Sequence, residues 1–288
     1  MKILVLGGGG QIARAVAACV PAKHSVVVKS RQDLDITDEA ALETALAASG
    51  ADWVVNGAAY TAVDRAETEP DAARAINGTA VGALARVAAR ARARLLHLST
   101  DFVFDGKSNR AYLPTDRTNP LSVYGATKLE GEQQVLKQGG DAIILRTAWV
   151  YASTGKNFAL TMLRLLREKD EVRVVSDQIG TPTWATGIAQ AIWSLIDESA
   201  AAGIYHWTDL GVASWYDFAT AIQDEALALG LLVRAVPVIP ISTADYPTPA
   251  QRPAFSVLDT LSTRALVSAP ARHWRHNLRM MLNELQSA

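Results

Sequence analysis

Several absences narrow the reading of this chain before any motif does. Cys19 is the only cysteine in 288 residues, so no intramolecular disulfide can form and a reducing compartment suits the chain. No apolar run approaches the roughly 20 residues that a membrane-spanning helix needs, and no membrane partner is expected. Neither sign of charge prevails. The 28 lysines and arginines nearly balance the 29 aspartates and glutamates, for a formal net charge of −1, so no global field attracts nucleic acid. The five histidines are scattered. Only His273 and His276 are close, and Arg272 and Arg275 beside them speak against a metal site. Met1 to Leu6 runs straight into glycines, without the apolar stretch or cleavage site of a signal peptide, and a cytoplasmic location is expected.

The composition itself, 49% apolar and 20% charged, is that of an ordinary compact protein. The length suits one large domain or two unequal ones. Ile3 to Leu6 is a short apolar run that stops at Gly7-Gly8-Gly9-Gly10 and passes into a helix opening from Gln11. Strand, glycine turn and helix together form the context of a dinucleotide site. Glycines let the backbone approach a pyrophosphate, and the helix N–H groups receive its charge. Two registers fit: Gly8, Gly10 and Ala13, or Gly7, Gly10 and Ala13.

Further apolar runs follow at Val26–Val28, Trp53–Asn56, Leu95–Leu98 and Ala142–Leu145, with helical stretches between them. One of these is expected to start at Thr37 as N-cap, and another to span about Asp71 to Ala93. Arg86, Arg90, Arg92 and Arg94 read as a solvated face. Short strands alternating with helices indicate a parallel, doubly wound sheet of Rossmann type, over residues 1–151. Its ligands bind beyond the carboxyl ends of the strands, where Gly7–Gly10, Ala58–Thr61, Ser99–Asp101 and Thr147–Trp149 gather. From 152 to 288 the rhythm changes to short strands and proline-punctuated turns, which suggests a smaller, mainly substrate-binding lobe, with some of this chain expected to return to the first domain.

Asn119-Pro120 reads as the start of a helix that carries Tyr124 and Lys128 one turn apart. An ammonium beside a phenol stabilises the phenolate and makes tyrosine a usable general acid or base. At the end of the second strand, about 20 residues past Gly10, stand Lys29-Ser30-Arg31 rather than the acid of an NAD site. Arg31 is therefore expected to hold a 2′-phosphate through charge-assisted hydrogen bonds, the other reading being a solvated loop arginine.

The glycine loop, Ser99-Thr100-Asp101 and Tyr124-x-x-x-Lys128 together resemble the extended short-chain dehydrogenase/reductase family. Asn56 to Asp64, Ser99 to Asp105, Asn119 to Lys128, Arg146 to Tyr151, Asp177 to Thr183 and Tyr246 to Pro253 narrow the resemblance to its branch of dTDP-sugar ketoreductases. The resemblance implies hydride transfer from a nicotinamide cofactor to the C4 ketone of a dTDP-linked 4-dehydro-6-deoxy sugar; by the strand-end argument that cofactor is expected to be NADPH, with NADH as the alternative. It implies that Tyr124 donates the proton, that Lys128 binds the nicotinamide ribose and tunes Tyr124, and that Thr100 orients the carbonyl. Asp101 and Trp149 would contact the sugar nucleotide. Gly7, Gly10, Gln11, Ile12, Asp35, Ile36, Ala59, Tyr60 and Thr61 would contact the cofactor, with Arg31 from the strand-end argument. Three positions depart from the family pattern. Ala13 replaces a third glycine, Phe102 stands where tyrosine is common, and Ala15 stands where some members carry a metal-bridging glutamate, so no metal is expected. A monomer or homodimer is expected. Two other functions fit the same scaffold: another sugar-nucleotide reductase or epimerase, and a non-catalytic regulatory subunit like that of methionine adenosyltransferase.

Overall fold

The computed structural model describes residues 1–286; the last two residues of the 152–288 lobe lie outside them. Five early strands, β1 (Lys2–Leu6), β2 (Ser25–Lys29), β3 (Trp53–Asn56), β4 (Arg94–Thr100) and β5 (Ala142–Thr147), share one sheet with β10 (Gly203–His206). The order is β10-β5-β4-β3-β1-β2, and every neighbouring pair is parallel. The chain leaves β1 toward β2 on one side and resumes with β3 on the other, so a switch point lies between them. Ligand crevices open at such points.

Side chains alternate across each strand. Ile3, Val5, Val55, Leu96 and Leu145 face one layer, formed by α1 (Gln11–Ala18) and α8 (Ala185–Asp197). Leu4, Leu6, Val54, Leu95 and Ile144 face the other, formed by α2 (Glu39–Ser49), α5 (Ala80–Arg90) and α6 (Val123–Lys137). Burial on both faces is why these strands read as continuous apolar runs.

The local signals differ in detail from the sequence expectations. Asp38, not Thr37, caps α2 by accepting from the Ala41 N–H, while the Thr37 hydroxyl donates to Asp35. Ser122, not Asn119-Pro120, caps α6 by accepting from the Gly125 N–H. Helix α3 (Val63–Ala66) is a single turn. The stretch expected as one helix is α4 (Pro70–Arg74), a π-helical turn at Ala75–Thr79, and α5. Of the basic run, Arg86 and Arg90 lie on α5 and pair with Glu39, whereas Arg94 lies over the Trp53 ring, 4.2 Å from its centroid.

A second core gathers Tyr151, Leu163, Phe218, Ile222, Trp274 and Leu278. It is built by α7 (Phe158–Glu168), α9 (Trp215–Ala228) and α11 (Trp274–Gln286), beside the parallel pair β7 (Val172–Val175) and β12 (Val238–Ile241). Short pairings complete it. β6 (Val150–Tyr151) runs along β9 (Thr183–Trp184), and β8 (Ile179–Gly180) along β11 (Ala213–Ser214). Helix α10 (Leu261–Leu266) lies near β10. Among the described residues no helix is long and apolar enough to cross a membrane.

Candidate active site

The glycine turn is shaped by what cannot fit there. Gly7 has φ +82°, and a Cβ on it would lie 2.6 Å from the Ala58 nitrogen; one on Gly8 would lie 2.7 Å from Val28 Cγ1. Gly10 caps α1 with extended backbone and no side-chain acceptor, so the first N–H groups of α1 remain available to an anion. The positive φ falls on Gly7 and the cap on Gly10, so the backbone uses the wider register with Ala13, which packs into the core beneath. Beyond this turn opens a cleft of about 330 Å³ lined by Gly7, Gly10, Arg31, Asp35, Ile36, Ala59 and Thr61.

Five of the expected contacts have partners that define their roles in the fold. Gln11 Oε1 accepts from Asn157 Nδ2 at 2.9 Å, which ties the start of α1 to the N-cap of α7. Ile12 packs against the core between α1 and the sheet. The Tyr60 backbone is clamped by Asn77, through its N–H to Oδ1 (2.8 Å) and its carbonyl to Nδ2 (3.1 Å), and its hydroxyl donates to Glu69. Arg31 is 76% exposed at its side chain, with Nε 3.6 Å from Asp35 Oδ2. Asp35 accepts from the Thr37 N–H and hydroxyl, which hold its carboxyl below the usual range.

The strand end of β4 and the first turn of α6 bring Thr100, Asp101 and Tyr124 together. Thr100 Oγ1 donates to Asp101 Oδ1 at 3.0 Å and hydrogen-bonds Tyr124. Phe102 meets the Tyr124 ring edge to face, 5.5 Å between centroids, so the residue that departs from the family pattern braces the phenol by packing. Burial pushes the Tyr124 phenol up to about 12; the Thr100 hydrogen bond acts against this, and Asp101 adds to it. Burial likewise raises Asp101 to about 6, with the Ser256 and Thr100 hydroxyls pulling it down, and its Oδ2 is buried without a hydrogen bond.

Lys128 is one turn further on and almost fully buried. Its ammonium is directed at the Leu98 carbonyl (2.6 Å) and faces His97 Nε2 at 3.4 Å, rather than resting on Tyr124 as the four-residue spacing suggests. Burial lowers its pKa to about 8, opposed by Glu132 one turn beyond. Tyr124 is thus held as the protonated phenol, the form a general acid needs.

On the other side stands Trp149, which has φ +45° and lies face to face with Trp215, 3.5 Å between centroids and 3° between planes. Gly180 makes room for it, since a Cβ there would fall 2.5 Å from the indole. A left-handed backbone is uncommon for a residue as large as tryptophan and costs about 1–3 kcal/mol. Trp215 also lines a second cleft of about 550 Å³, with Phe158, Arg173, Gln178, Tyr246 and Arg252.

Sequence reading missed the residues that support this site from other elements. Glu132 receives a bidentate pair from Arg146 (2.9 and 2.6 Å) and a hydrogen bond from Ser99, all buried. Asn77 bridges Tyr60 and Thr127 from the π turn. Asn56 and His97 join β3 to β4 behind Lys128. A polar residue inside an apolar strand was the available signal for Asn56, His97 and Arg146.

A dinucleotide cleft at the β1–β3 switch point, with a Thr–Tyr–Lys cluster beside it, defines a protein of the extended short-chain dehydrogenase/reductase class. The model of the RmlD substrate binding domain family matches residues 1–287, and the chain belongs to that family. It is 41% identical to a dTDP-4-dehydrorhamnose reductase of Burkholderia thailandensis, over the whole of both chains. A solved dTDP-4-dehydrorhamnose reductase of Clostridium acetobutylicum superposes with a TM-score of 0.93 at 38% identity, covering 99% of this chain and 100% of that one. One from Bacillus anthracis, solved in complex with NADP, gives 0.93 at 31% identity over 98% of this chain and 99% of that one.

Proposed function

We propose that the protein reduces the C4 ketone of dTDP-4-dehydro-6-deoxy-L-mannose (dTDP-4-dehydrorhamnose) to dTDP-L-rhamnose with NADPH. The observation that carries this is the Thr100–Asp101–Tyr124 cluster at the end of β4, set beside a glycine cradle that no side chain fills. The cradle fits a dinucleotide: the open N–H groups of α1 and the Gly7–Gly10 turn would hold its pyrophosphate, and Lys128 its ribose. Bound there, NADPH supplies the hydride.

The chain's own residues handle the proton and the geometry. Thr100 orients the ketone oxygen, Tyr124 gives its proton to that oxygen as negative charge develops, and Asp101 and Trp149 hold the sugar nucleotide. Proton donation is worth about 10²–10⁴-fold in rate, and the rest of the site contributes by fixing orientation. Residues 1–151 bear most of the cofactor contacts and 152–288 mainly the substrate contacts, in a cytoplasmic monomer or homodimer. Support comes from the match over nearly the full chain and from the NADP-bound relative.

Purified protein given dTDP-4-dehydrorhamnose and NADPH is the test. dTDP-rhamnose is the expected product; another product, or none, overturns the reading. Tyr124→Phe keeps the ring and removes the proton, so kcat is expected to fall about 10²–10⁴-fold with cofactor affinity nearly unchanged. A variant that kept more than half the activity would remove Tyr124 from the role.

A further inference from the structure

Lys128 sits against a buried hydrogen-bond chain whose direction is fixed at one end by the backbone. The Ala58 N–H can only donate, and it donates to Asn56 Oδ1 at 3.1 Å. That orients the amide, so Asn56 Nδ2 is the donor to His97 Nδ1, also at 3.1 Å. His97 is completely buried, and burial followed by the Lys128 charge keeps it well below its ordinary pKa, hence neutral. A neutral ring that accepts at Nδ1 carries its proton on Nε2. Nε2 is the atom that faces Lys128 Nζ at 3.4 Å.

We propose that His97, locked in this tautomer by Asn56, is a positioning residue that presents an N–H to Lys128 and so sets the pH at which the lysine loses its charge. An N–H aimed at an ammonium is donor against donor, and it favours the amine, whose lone pair can accept. The remaining groups around Nζ decide how far this goes. On α6 itself, Glu132 favours the ammonium, but its carboxylate is shared with Arg146 from β5 and Ser99 from β4. Tyr124 lies one turn back, with Asp101 next to it after β4. From the π turn come only the neutral Asn77 and, on α6 beside it, Thr127. The charges of α3 and α4 that lie toward α6 are engaged elsewhere: Asp64 with Arg252, Arg65 with Glu69, Arg74 with Asp71 and Glu130. On α5, Arg86 and Arg90 pair with Glu39. From the strand side Nζ meets two neutral dipoles: the Leu98 carbonyl, which accepts at 2.6 Å and favours the ammonium, and His97, the one of the two that favours the amine.

The chain begins at Ala58, in the segment that lines the cofactor cleft, and ends at the lysine assigned to the ribose. This inference rests on the reading of Lys128 given above. Lys128 charged is the working form, so activity and cofactor affinity fall as pH rises through its pKa.

His97→Gln tests it, because a glutamine can turn its oxygen toward Nζ and accept. The alkaline limb of log kcat/KM, and of NADPH affinity followed by nucleotide fluorescence, is expected to move up by about one pH unit. A folded variant with an unmoved limb in both profiles overturns the proposal. The unmutated protein gives a second decision independent of turnover. Ring ¹⁵N shifts of His97, assigned through its contacts with Asn56, are expected to place the proton on Nε2; a proton on Nδ1 overturns the proposal even if His97→Gln does not fold. Absence of turnover in the unmutated protein would instead count against the reductase reading, and the ¹⁵N and binding data would still judge His97.

Discussion

Asp101 is a carboxyl group kept in a place that disfavours its charge. Its pKa of about 6 lies above the ordinary carboxylate value, so the folded state binds its proton more tightly than the unfolded state does. Below the unfolded pKa, near 3.9, the burial cost is absent. It grows as pH rises to about 6 and is constant above that. Asp101→Asn removes the charge and keeps the shape, so the ligand-free variant is expected to melt higher than the parent at pH 7.5. The gain is about 1–3 kcal/mol, shrinking toward zero near pH 4. Melting curves across pH check it, and equal melting temperatures at pH 7.5 would show that Asp101 is not strained. Activity is expected to drop in the same variant, the usual exchange between a strained site and stability. At the other end of the cleft, Arg31 is exposed, and among the described residues its ion pair is a long one with Asp35, so its guanidinium can turn to a 2′-phosphate. A charge-assisted bond is worth about 1.5–3 kcal/mol, roughly 10- to 150-fold. NADPH is expected to be preferred over NADH by at least about tenfold in kcat/KM, with Arg31→Ala erasing most of the gap. Equal use of both by the unmutated protein would leave Arg31 a bystander.

At the scale of elements, the contact between α6 and the π turn decides how the site is held. A Cβ on Gly131 would fall on the Asn77 carbonyl oxygen, and one on Gly125 on that of Phe102. Helix propensity alone favours alanine over glycine by about 1 kcal/mol. Overpacking costs about 1–3 kcal/mol, and here the obstacle is backbone. Gly131→Ala is therefore expected to lower the melting temperature by a few degrees and to weaken NADPH binding, since Asn77 also clamps Tyr60. A higher melting temperature would mean that the π turn yields. Ile76, Asn77, Gly78 and Thr79 are weak helix formers and mark a soft place in the helix, but that it becomes a π turn follows from what packs on it and was not legible beforehand. The alternation of strands and helices was legible because strands buried on two faces must be apolar throughout. Caps were misplaced by one to three residues because Thr37, Asp38, Asn119 and Ser122 all have cap chemistry, and only the backbone chooses among them. The Thr100, Tyr124 and Lys128 spacing could be read along the chain. The Asn56–His97 and Ser99–Glu132–Arg146 links could not, because they join residues 14 to 41 positions apart.

For the molecule as a whole, the two clefts are built on different cores, and side chains reach from one half of the chain to the other. Gln11 reaches Asn157, and Arg252 reaches Asp64 with two bonds, at 2.8 and 3.1 Å. Gly106 lets the segment after β4 lie against Pro253 and Ala254. β10 comes from the later half of the chain yet completes the early sheet, and α8 packs on α1, with Trp193 Nε1 donating to the Val16 carbonyl. Some of the later chain was expected to return to the first domain, but Gly203-Ile204-Tyr205-His206 carry no mark of which sheet they join, so which segment does so is visible only in three dimensions.

The stacked pair of Trp149 and Trp215 has an optical consequence. Two indoles 3.5 Å apart and 3° from coplanar are close enough to couple their electronic excitations, so a circular-dichroism couplet is expected from the twist between their in-plane axes. Trp149 is the member assigned to the sugar nucleotide, so arrival of substrate is expected to disturb the pair and change the couplet without any label. Trp149→Phe should abolish the couplet, and a couplet unchanged by saturating substrate would place the sugar away from the indoles.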